Sequence, residues 1–502
     1  MTQPDVSTDE QAEVEGAGPA QDRAKLDRRT LLKAAGGMAL GLAATAYAAP
    51  VSRRRYVNVG VGSRSRMYLT AIAGKFRDSN ELVGLCDTNP GRLAFASQTI
   101  VAAGARAPKS YAAADFDRMI RETRPDALIV TTPDATHDDY IVRALDAGCD
   151  VITEKPLTTT AEKAQRIIDA CKRNGRHLRV MFNYRYSPPR TQVKDLLMSN
   201  EIGDILSVDF HWLLNTVHGA DYFRRWHSHK AVSSGLMVHK ATHHFDLVNW
   251  WLGAQPETVL GLGKREFYTP ATAKRMGLKD THERCLTCPE KAGCNFYFNL
   301  AKDPILKALY LDNEKHDGYF RDQCVWRPGI DIEDTMNVMV RYNSGTTLSY
   351  SLNAFNAWEG YVIAFNGTKG RLEHQIVEQG GVAGASVPQG GIQADGVTTR
   401  VIPMRGKPRE IEPWNGEGEH GGGDDVMLAE VFGKAEPDKY RRASDERSGA
   451  WSCLIGISAN RSFETGQSVR IADLVTGLTP PEVPPMPTRA MAVPMPARID
   501  IP

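Results

Sequence analysis

The chain has 502 residues, with 61 basic and 60 acidic side chains and a formal net charge of +1. That length allows two or three domains with ample core, and the charge balance gives no electrostatic ground for a nucleic-acid partner. Eight cysteines are too few for a disulfide scaffold.

Residues 1–22 are acidic and rich in glycine and alanine, with little to bury, so disorder is expected there. Residues 23–49 read as a twin-arginine export signal. Asp27-Arg28-Arg29-Thr30-Leu31-Leu32-Lys33 precedes an apolar stretch to Ala44, and Ala46-Tyr47-Ala48 forms a small-residue cleavage site before Ala49. As a membrane anchor this apolar core is too short and too glycine-rich, since a span needs about 20 residues. No other segment suits stable membrane insertion. The expected location is periplasmic or secreted, reached through the twin-arginine export machinery.

Residues 50–186 carry the organising pattern. Tyr56-Val57-Asn58-Val59 is an apolar run that ends in Gly60-Val61-Gly62-Ser63-Arg64-Ser65 and continues helix-like from Met67. This is the opening of a dinucleotide-binding βαβ unit. The first glycine permits the tight turn, the second lets a diphosphate approach the backbone, and the helix start offers free N–H donors. Ser65 stands where the fingerprint has its third glycine. The run 82–86 ends in Asp87, placed for a ribose 2′-OH; its charge would repel a 2′-phosphate, which favours NAD over NADP. Ala127-Leu128-Ile129-Val130 leads into Thr131-Thr132-Pro133, a helix is expected over 137–147, and Asp150-Val151-Ile152-Thr153 ends in Glu154-Lys155-Pro156. Strands alternating with helices, with polar groups at the strand ends, predict a doubly wound parallel sheet whose site lies at its carboxyl edge. A helix over 158–174 and a strand over 177–182 complete this domain.

Residues 187–445 are expected to form an α/β domain for substrate and oligomerisation. A helix runs from Pro188 to 202, a long alternating strand covers 205–214, and residues 222–229 are aromatic and cationic. A helix is expected from about residue 236. His239 and His243 lie four apart on one face with Asp246 one turn on, a spacing that also suits zinc. An insertion over about 265–330 carries Cys285, Cys288 and Cys294, with Cys324 further on. These four thiols suit a structural zinc, an iron–sulfur cluster or two disulfides, and His282 is a substitute ligand. A structural role is favoured, with metal and disulfide on equal terms. Cys86, Cys149, Cys171 and Cys453 sit in apolar contexts and read as small core residues. Alternating segments at 337–342, 346–353 and 361–366 predict a large open, mostly antiparallel sheet, with one face free for a partner subunit or substrate. Residues 379–396 read as a glycine-rich loop. Residues 417–425 form a glycine-rich turn with His420 and Asp424, either approaching a sugar or capping a helix. A helix over 446–478 returns to the first domain, and the Pro/Met-rich tail 479–502 reads as an extended arm over a neighbour.

The residues 60–64, Thr132-Pro133 with His137, Glu154-Lys155-Pro156, 183–188, His243 with Asp246, and 456–462 resemble the glucose-fructose oxidoreductase, inositol dehydrogenase and MocA family. The resemblance spans about residues 55–475. It implies an N-terminal Rossmann domain and a C-terminal α+β domain, and hydride transfer on a sugar or glycoside hydroxyl. Gly60, Gly62, Ser63, Arg64, Ser65 and Asp87 would hold the adenosine diphosphate half of NAD. Thr131, Thr132, Pro133 and His137 would line its middle, with Glu154, Lys155 and Asn183 by the nicotinamide ribose. Lys155 would polarise the substrate hydroxyl and His243 would take its proton. Tyr184, His239, Lys240 and Trp226 are further substrate contacts. The family has aspartate where His239 stands, which leaves the acid/base pair open.

Export constrains the chemistry further. The periplasm lacks a nicotinamide pool, so an exported enzyme must carry its cofactor tightly bound and recycle it in place. An oxidoreductase with a second sugar would do so. An NAD-dependent glycosidase would also do so, by transient C3 oxidation, elimination, water addition and reduction back. A non-catalytic sugar sensor is the third reading. A homodimer or homotetramer is expected.

Overall fold

The computed structural model describes residues 53–379, 396–416, 419–434, 436–488, 490–493 and 495–496. The stretch expected to be an export signal, residues 23–49, and the glycine-rich stretch 380–395 lie outside them.

Six parallel strands form the first sheet: β1 (Arg54–Val59), β2 (Asn80–Asp87), β3 (Lys109–Ala112), β4 (Ala127–Val130), β5 (Asp150–Thr153) and β6 (Leu178–Val180). Their order is β3-β2-β1-β4-β5-β6. All four residues of β4 are buried, as a strand covered on both faces requires. Helices α1 (Ser65–Ala73), α2 (Pro90–Ala102), α3 (Phe116–Thr123), α4 (His137–Asp146) and α5 (Ala161–Asn174) cross between the strands. Local chemistry sets their ends. Asn89 caps α2 by accepting the N–H groups of Gly91 and Arg92, with proline in the first turn. Thr160 caps α5, and Gly175 ends it in the left-handed conformation. The strand order reverses between β1 and β4, so a crevice opens at their carboxyl ends.

The second sheet has nine strands: β7 (Ile205–Asn215), β8 (Pro256–Lys264), β9 (Thr335–Tyr342), β10 (Thr347–Asn356), β11 (Glu359–Gly367), β12 (Gly370–Gln379), β13 (Val397–Pro403), β14 (Arg409–Glu410) and β15 (Val469–Arg470). The order is β14-β13-β12-β11-β7-β10-β9-β8-β15. All pairs are antiparallel except β7 with β10. Burial alternates along β9, which marks one covered face and one open face. The open face shows Leu262 and Met339, 73% and 59% exposed. The second domain also carries α6 (Pro188–Met198), α7 (Thr216–Arg224), α8 (Gly235–His239), α9 (Ala241–Leu252), α10 (Gly423–Phe432) and α11 (Glu446–Thr465); α7 and α9 lie on the covered face at β7 and β10, and α11 lies on it at β8.

One expectation changes. The helix expected from residue 236 is broken at Lys240. The N–H of His243 bonds Lys240 O instead of the carbonyl of His239. That carbonyl is released from the helix ladder and accepts Lys155 Nζ at 3.1 Å. The break at Lys240 takes His239 out of the helix that carries His243 and Asp246. Asp246 is buried in a bidentate pair with Arg185, at 2.7 and 2.6 Å. The first part of the tail, residues 479–486, lies along its own chain. Trp451 Nε1 donates to Thr479 O at 3.2 Å and Lys194 Nζ to Met486 Sδ at 2.9 Å.

The Arg185–Asp246 pair ties the 3₁₀ turn Asn183–Tyr186 to α9. Asp246→Ala would leave a buried guanidinium unpaired and should lower unfolding free energy by about 3–5 kcal/mol. Chemical denaturation measures this, and a loss under about 1 kcal/mol would contradict the assigned role.

Candidate active site

One cleft of about 920 Å³ runs along the carboxyl edge of the parallel sheet and under the second domain. Its floor is the turn after β1. Gly60 has φ +81°, and a Cβ there would lie 2.7–2.8 Å from backbone atoms of Thr131 and Thr132. Only glycine lets the turn sit this close to β4. Thr131 Oγ1 donates to Gly60 O, and Ser65 Oγ closes the turn on Gly62 O at 2.7 Å. Serine at the third glycine position thus serves the turn itself. Asp87 ends β2 and accepts Val61 N–H at 2.7 Å, Asn89 N–H at 2.8 Å and Arg92 Nη2 at 3.0 Å. Each carboxylate oxygen can accept more than one bond, so a ribose hydroxyl remains compatible. The N–H groups of the turn, the close backbone approach and the acid at the end of β2 fit a dinucleotide.

Further along the cleft, Glu154 is buried. Its Oε1 accepts Arg64 Nε at 2.5 Å and Tyr68 OH at 2.6 Å. Arg64 also faces Asp424 at 3.6 Å, and Asn183 Nδ2 donates to Asp424 Oδ1 at 2.7 Å. Asp424, in the first turn of α10, lines the cleft wall. His137 is braced rather than free to turn. Its ring nitrogens meet Pro156 O at 2.8 Å and Thr132 O at 2.9 Å, which locks the loops after β4 and β5 together. Thr132 and Pro133 line the same wall. The Lys155–Pro156 peptide is cis.

Lys155 lies at the end of β5, where its Nζ contacts His239 O at 3.1 Å and His239 Nε2 at 3.4 Å. His239 Nδ1 meets Asp134 Oδ2 at 2.5 Å. A neutral imidazole with its proton on Nδ1 would satisfy both neighbours, donating to Asp134 and accepting from Lys155. Burial pushes His239 well below the usual histidine range and Asp134 well above the usual carboxylate range, so the pair resists carrying two charges. Burial lowers Lys155 to about 8, against the pull of Asp134 and Glu154. His243 lines the same cleft, stacked on Tyr184 with ring centroids 4.3 Å apart. Lys240 Nζ donates to Tyr184 OH at 3.2 Å. Trp226 stacks on His227 at 3.6 Å, and His227 meets the His239 ring at 4.2 Å. A second chain faces the same cleft: Glu359 Oε1 bonds His218 Nδ1 at 2.6 Å, and His218 Nε2 meets Tyr222 OH at 3.0 Å.

The insertion reaches this cleft as well. Ser63 N–H donates to Tyr310 OH at 3.0 Å, and Arg92 pairs with Asp317 at 2.6 Å. At its base, Cys285, Cys288, Cys294 and Cys324 line one small cavity of about 20 Å³ with His282. All eight cysteines are free thiols. Among the described residues no group of three or more histidine, cysteine or acidic side chains is arranged to hold a metal ion. Cys86, Cys149, Cys171 and Cys453 are buried. The side chain of His420 lies outside the described residues.

The sequence-derived residues at the strand ends, with Tyr184, His239 and His243, thus line one cleft. Sequence reasoning missed Asp134, His218, Tyr310 and Glu359, whereas Tyr222 lies in the aromatic and cationic stretch it singled out. Asp134 had a signal, since it follows Thr132-Pro133 at a strand end. Tyr310 and Glu359 had none, because their partners are 247 and 141 residues away.

Comparison with known proteins agrees with this geometry. Residues 54–182 match the oxidoreductase family, NAD-binding Rossmann fold, and residues 194–471 match the oxidoreductase family, C-terminal alpha/beta domain. YteT of Bacillus subtilis, assigned as an oxidoreductase, is 34% identical over 430 residues, covering 84% of this chain and 98% of YteT. Inositol 2-dehydrogenase 2 of Saccharopolyspora erythraea is 30% identical over 215 residues, 42% of this chain and 54% of that one. The aldose-aldose oxidoreductase of Caulobacter crescentus shares the fold, with a TM-score of 0.55 at 18% identity, over 83% of this chain and 99% of that one. The chain belongs to the glucose-fructose oxidoreductase, inositol dehydrogenase and MocA family of NAD-binding oxidoreductases.

Proposed function

We propose that this oxidoreductase dehydrogenates a hydroxyl of a sugar or glycoside with an NAD that stays on the protein, after export by the twin-arginine route. The observation that carries this reading is the Asp134–His239–Lys155 chain sharing one cleft with His243. NAD, when bound, supplies an acceptor for the hydride of a carbinol carbon. Gly60, Gly62, Ser63 and Asp87 would hold its adenosine half, and Glu154, Lys155 and Asn183 its other end. Two carboxylates, Asp87 and Asp317, share the single guanidinium of Arg92. The excess negative charge there disfavours a 2′-phosphate and supports NAD over NADP.

Lys155 as an ammonium can donate to the substrate oxygen and stabilise charge that grows on it. His243 takes the hydroxyl proton. Tyr222, Trp226 and Tyr184 offer apolar faces between polar groups, which suits a pyranose. We take the cysteine cluster as structural, its four thiols gathered at the base of the insertion. The open face of the nine-stranded sheet would carry the dimer or tetramer contact.

A second reading is favoured by the Glu359–His218–Tyr222 chain. A plain dehydrogenase needs one proton acceptor. A second acid/base group at the same cleft, His218 backed by the buried Glu359, suits a glycosidase that oxidises transiently, eliminates the aglycone and reduces back.

Incubating the protein with aryl glycosides, and separately with aldose pairs, without added nucleotide distinguishes the readings. Paired oxidised and reduced sugars support the first. Released aglycone with no net redox change supports the second, and neither product would leave a binding protein without chemistry. Lys155→Met should cut turnover about 10²–10⁴-fold while the protein stays folded. The ammonium of Lys155 is present below about pH 8 and lost above it. The ratio kcat/KM should therefore fall as pH rises through that value, and Lys155→Arg should remove this limb because arginine stays protonated. A rate that climbs through pH 8 would show instead that the neutral amine works as the base.

A further inference from the structure

The insertion between β8 and β9 belongs to the second domain by sequence, yet its far end rests on the nucleotide domain. Three contacts fix it there. Tyr310 OH accepts the N–H of Ser63 at 3.0 Å, Asn89 Nδ2 donates to Asn313 O at 2.9 Å, and Asp317 pairs with Arg92 at 2.6 Å. Beneath them Leu300, Leu309 and Tyr310 form a buried apolar cluster that takes in Phe95 of α2. The fit is close: a Cβ on Gly91 would fall 1.7 Å from Asn313 Oδ1.

These contacts are not on the back of the domain. Ser63 N–H is one of the donors that a glycine turn offers to a diphosphate. Arg92 is bonded to Asp87, the acid placed for the adenosine ribose. Tyr310 and Asp317 line the same cleft as Gly62 and Asp87. A phenol that accepts the Ser63 N–H lies within reach of an anion bound at that turn. It can also donate to such an anion, since a hydroxyl is both donor and acceptor.

We infer that the cysteine-rich insertion is a clamp on the dinucleotide, with Tyr310 a diphosphate-binding residue and the Asp317–Arg92 pair the latch over the adenosine ribose. The clamp bridges both domains across the adenosine half of the cleft. It therefore opposes cofactor release without touching the end where Lys155 and His243 act. The inference rests on the NAD-binding reading above and adds the means of retention.

Two measurements on the full chain test it. Hydrogen–deuterium exchange with and without NAD⁺ should show residues 304–319 slowed by the nucleotide. NADH release, followed by its fluorescence after a chase with excess ADP-ribose, should be at least tenfold faster in the double variant Tyr310→Phe with Asp317→Asn. Unchanged exchange in 304–319, or release from the variant at the wild-type rate, would overturn the clamp. If the variant fails to fold, the exchange experiment on the unaltered protein still decides. A protein that takes up no NAD⁺ at all would overturn the clamp together with the NAD-binding reading beneath it.

Discussion

The arrangement of the cleft depends on one carbonyl. His239 O leaves the helix ladder at Lys240 and turns to Lys155 Nζ. That contact joins the end of a parallel strand in one domain to the helix pair α8 and α9 in the other. It also places the His239 ring between Asp134 and Lys155. A lysine in this position cannot hold its charge as it would in water. Burial lowers it to about 8, and the nearby acids keep it from falling further. The result is an ammonium that can both donate and give up its proton within an ordinary pH range.

Around that contact the protein divides the work by domain. The six-stranded sheet supplies backbone donors and acids at its carboxyl edge, where the strand order reverses. The nine-stranded sheet supports the helices that carry His239, Lys240 and His243. The aromatic faces and the Glu359–His218–Tyr222 chain come from the start of the second domain and from β11. The hydrogen bonds of Glu359, His218 and Tyr222 hold that chain's geometry before any substrate arrives.

Much of this was legible in the sequence because strand ends advertise themselves. Gly60, Asp87, Thr131, Glu154 and Lys155 each follow a short apolar run, and a doubly wound sheet brings all such ends to one edge. The nine-stranded sheet was likewise visible in its alternation, although the parallel pairing of β7 with β10 was not. What stayed hidden depends on long-range contact. The spacing of His239 and His243 suggested a shared helical face, but one lysine from a strand 84 residues earlier took the carbonyl that would have continued the helix. Asp246 looked like a ligand beside them and instead neutralises Arg185. Tyr310 lies in an insertion with no periodicity to mark it, so nothing local tied it to Ser63. The cysteines were visible as a group, and all four do meet in one cavity.

The central claim is that NAD is a resident part of this protein. The most direct measurement is the ultraviolet spectrum and mass of whatever is released when protein purified without added nucleotide is denatured. The account predicts close to one NAD(H) per chain, with little NADP. A protein that releases no nucleotide, and that binds neither NAD nor NADP in calorimetry, would contradict it.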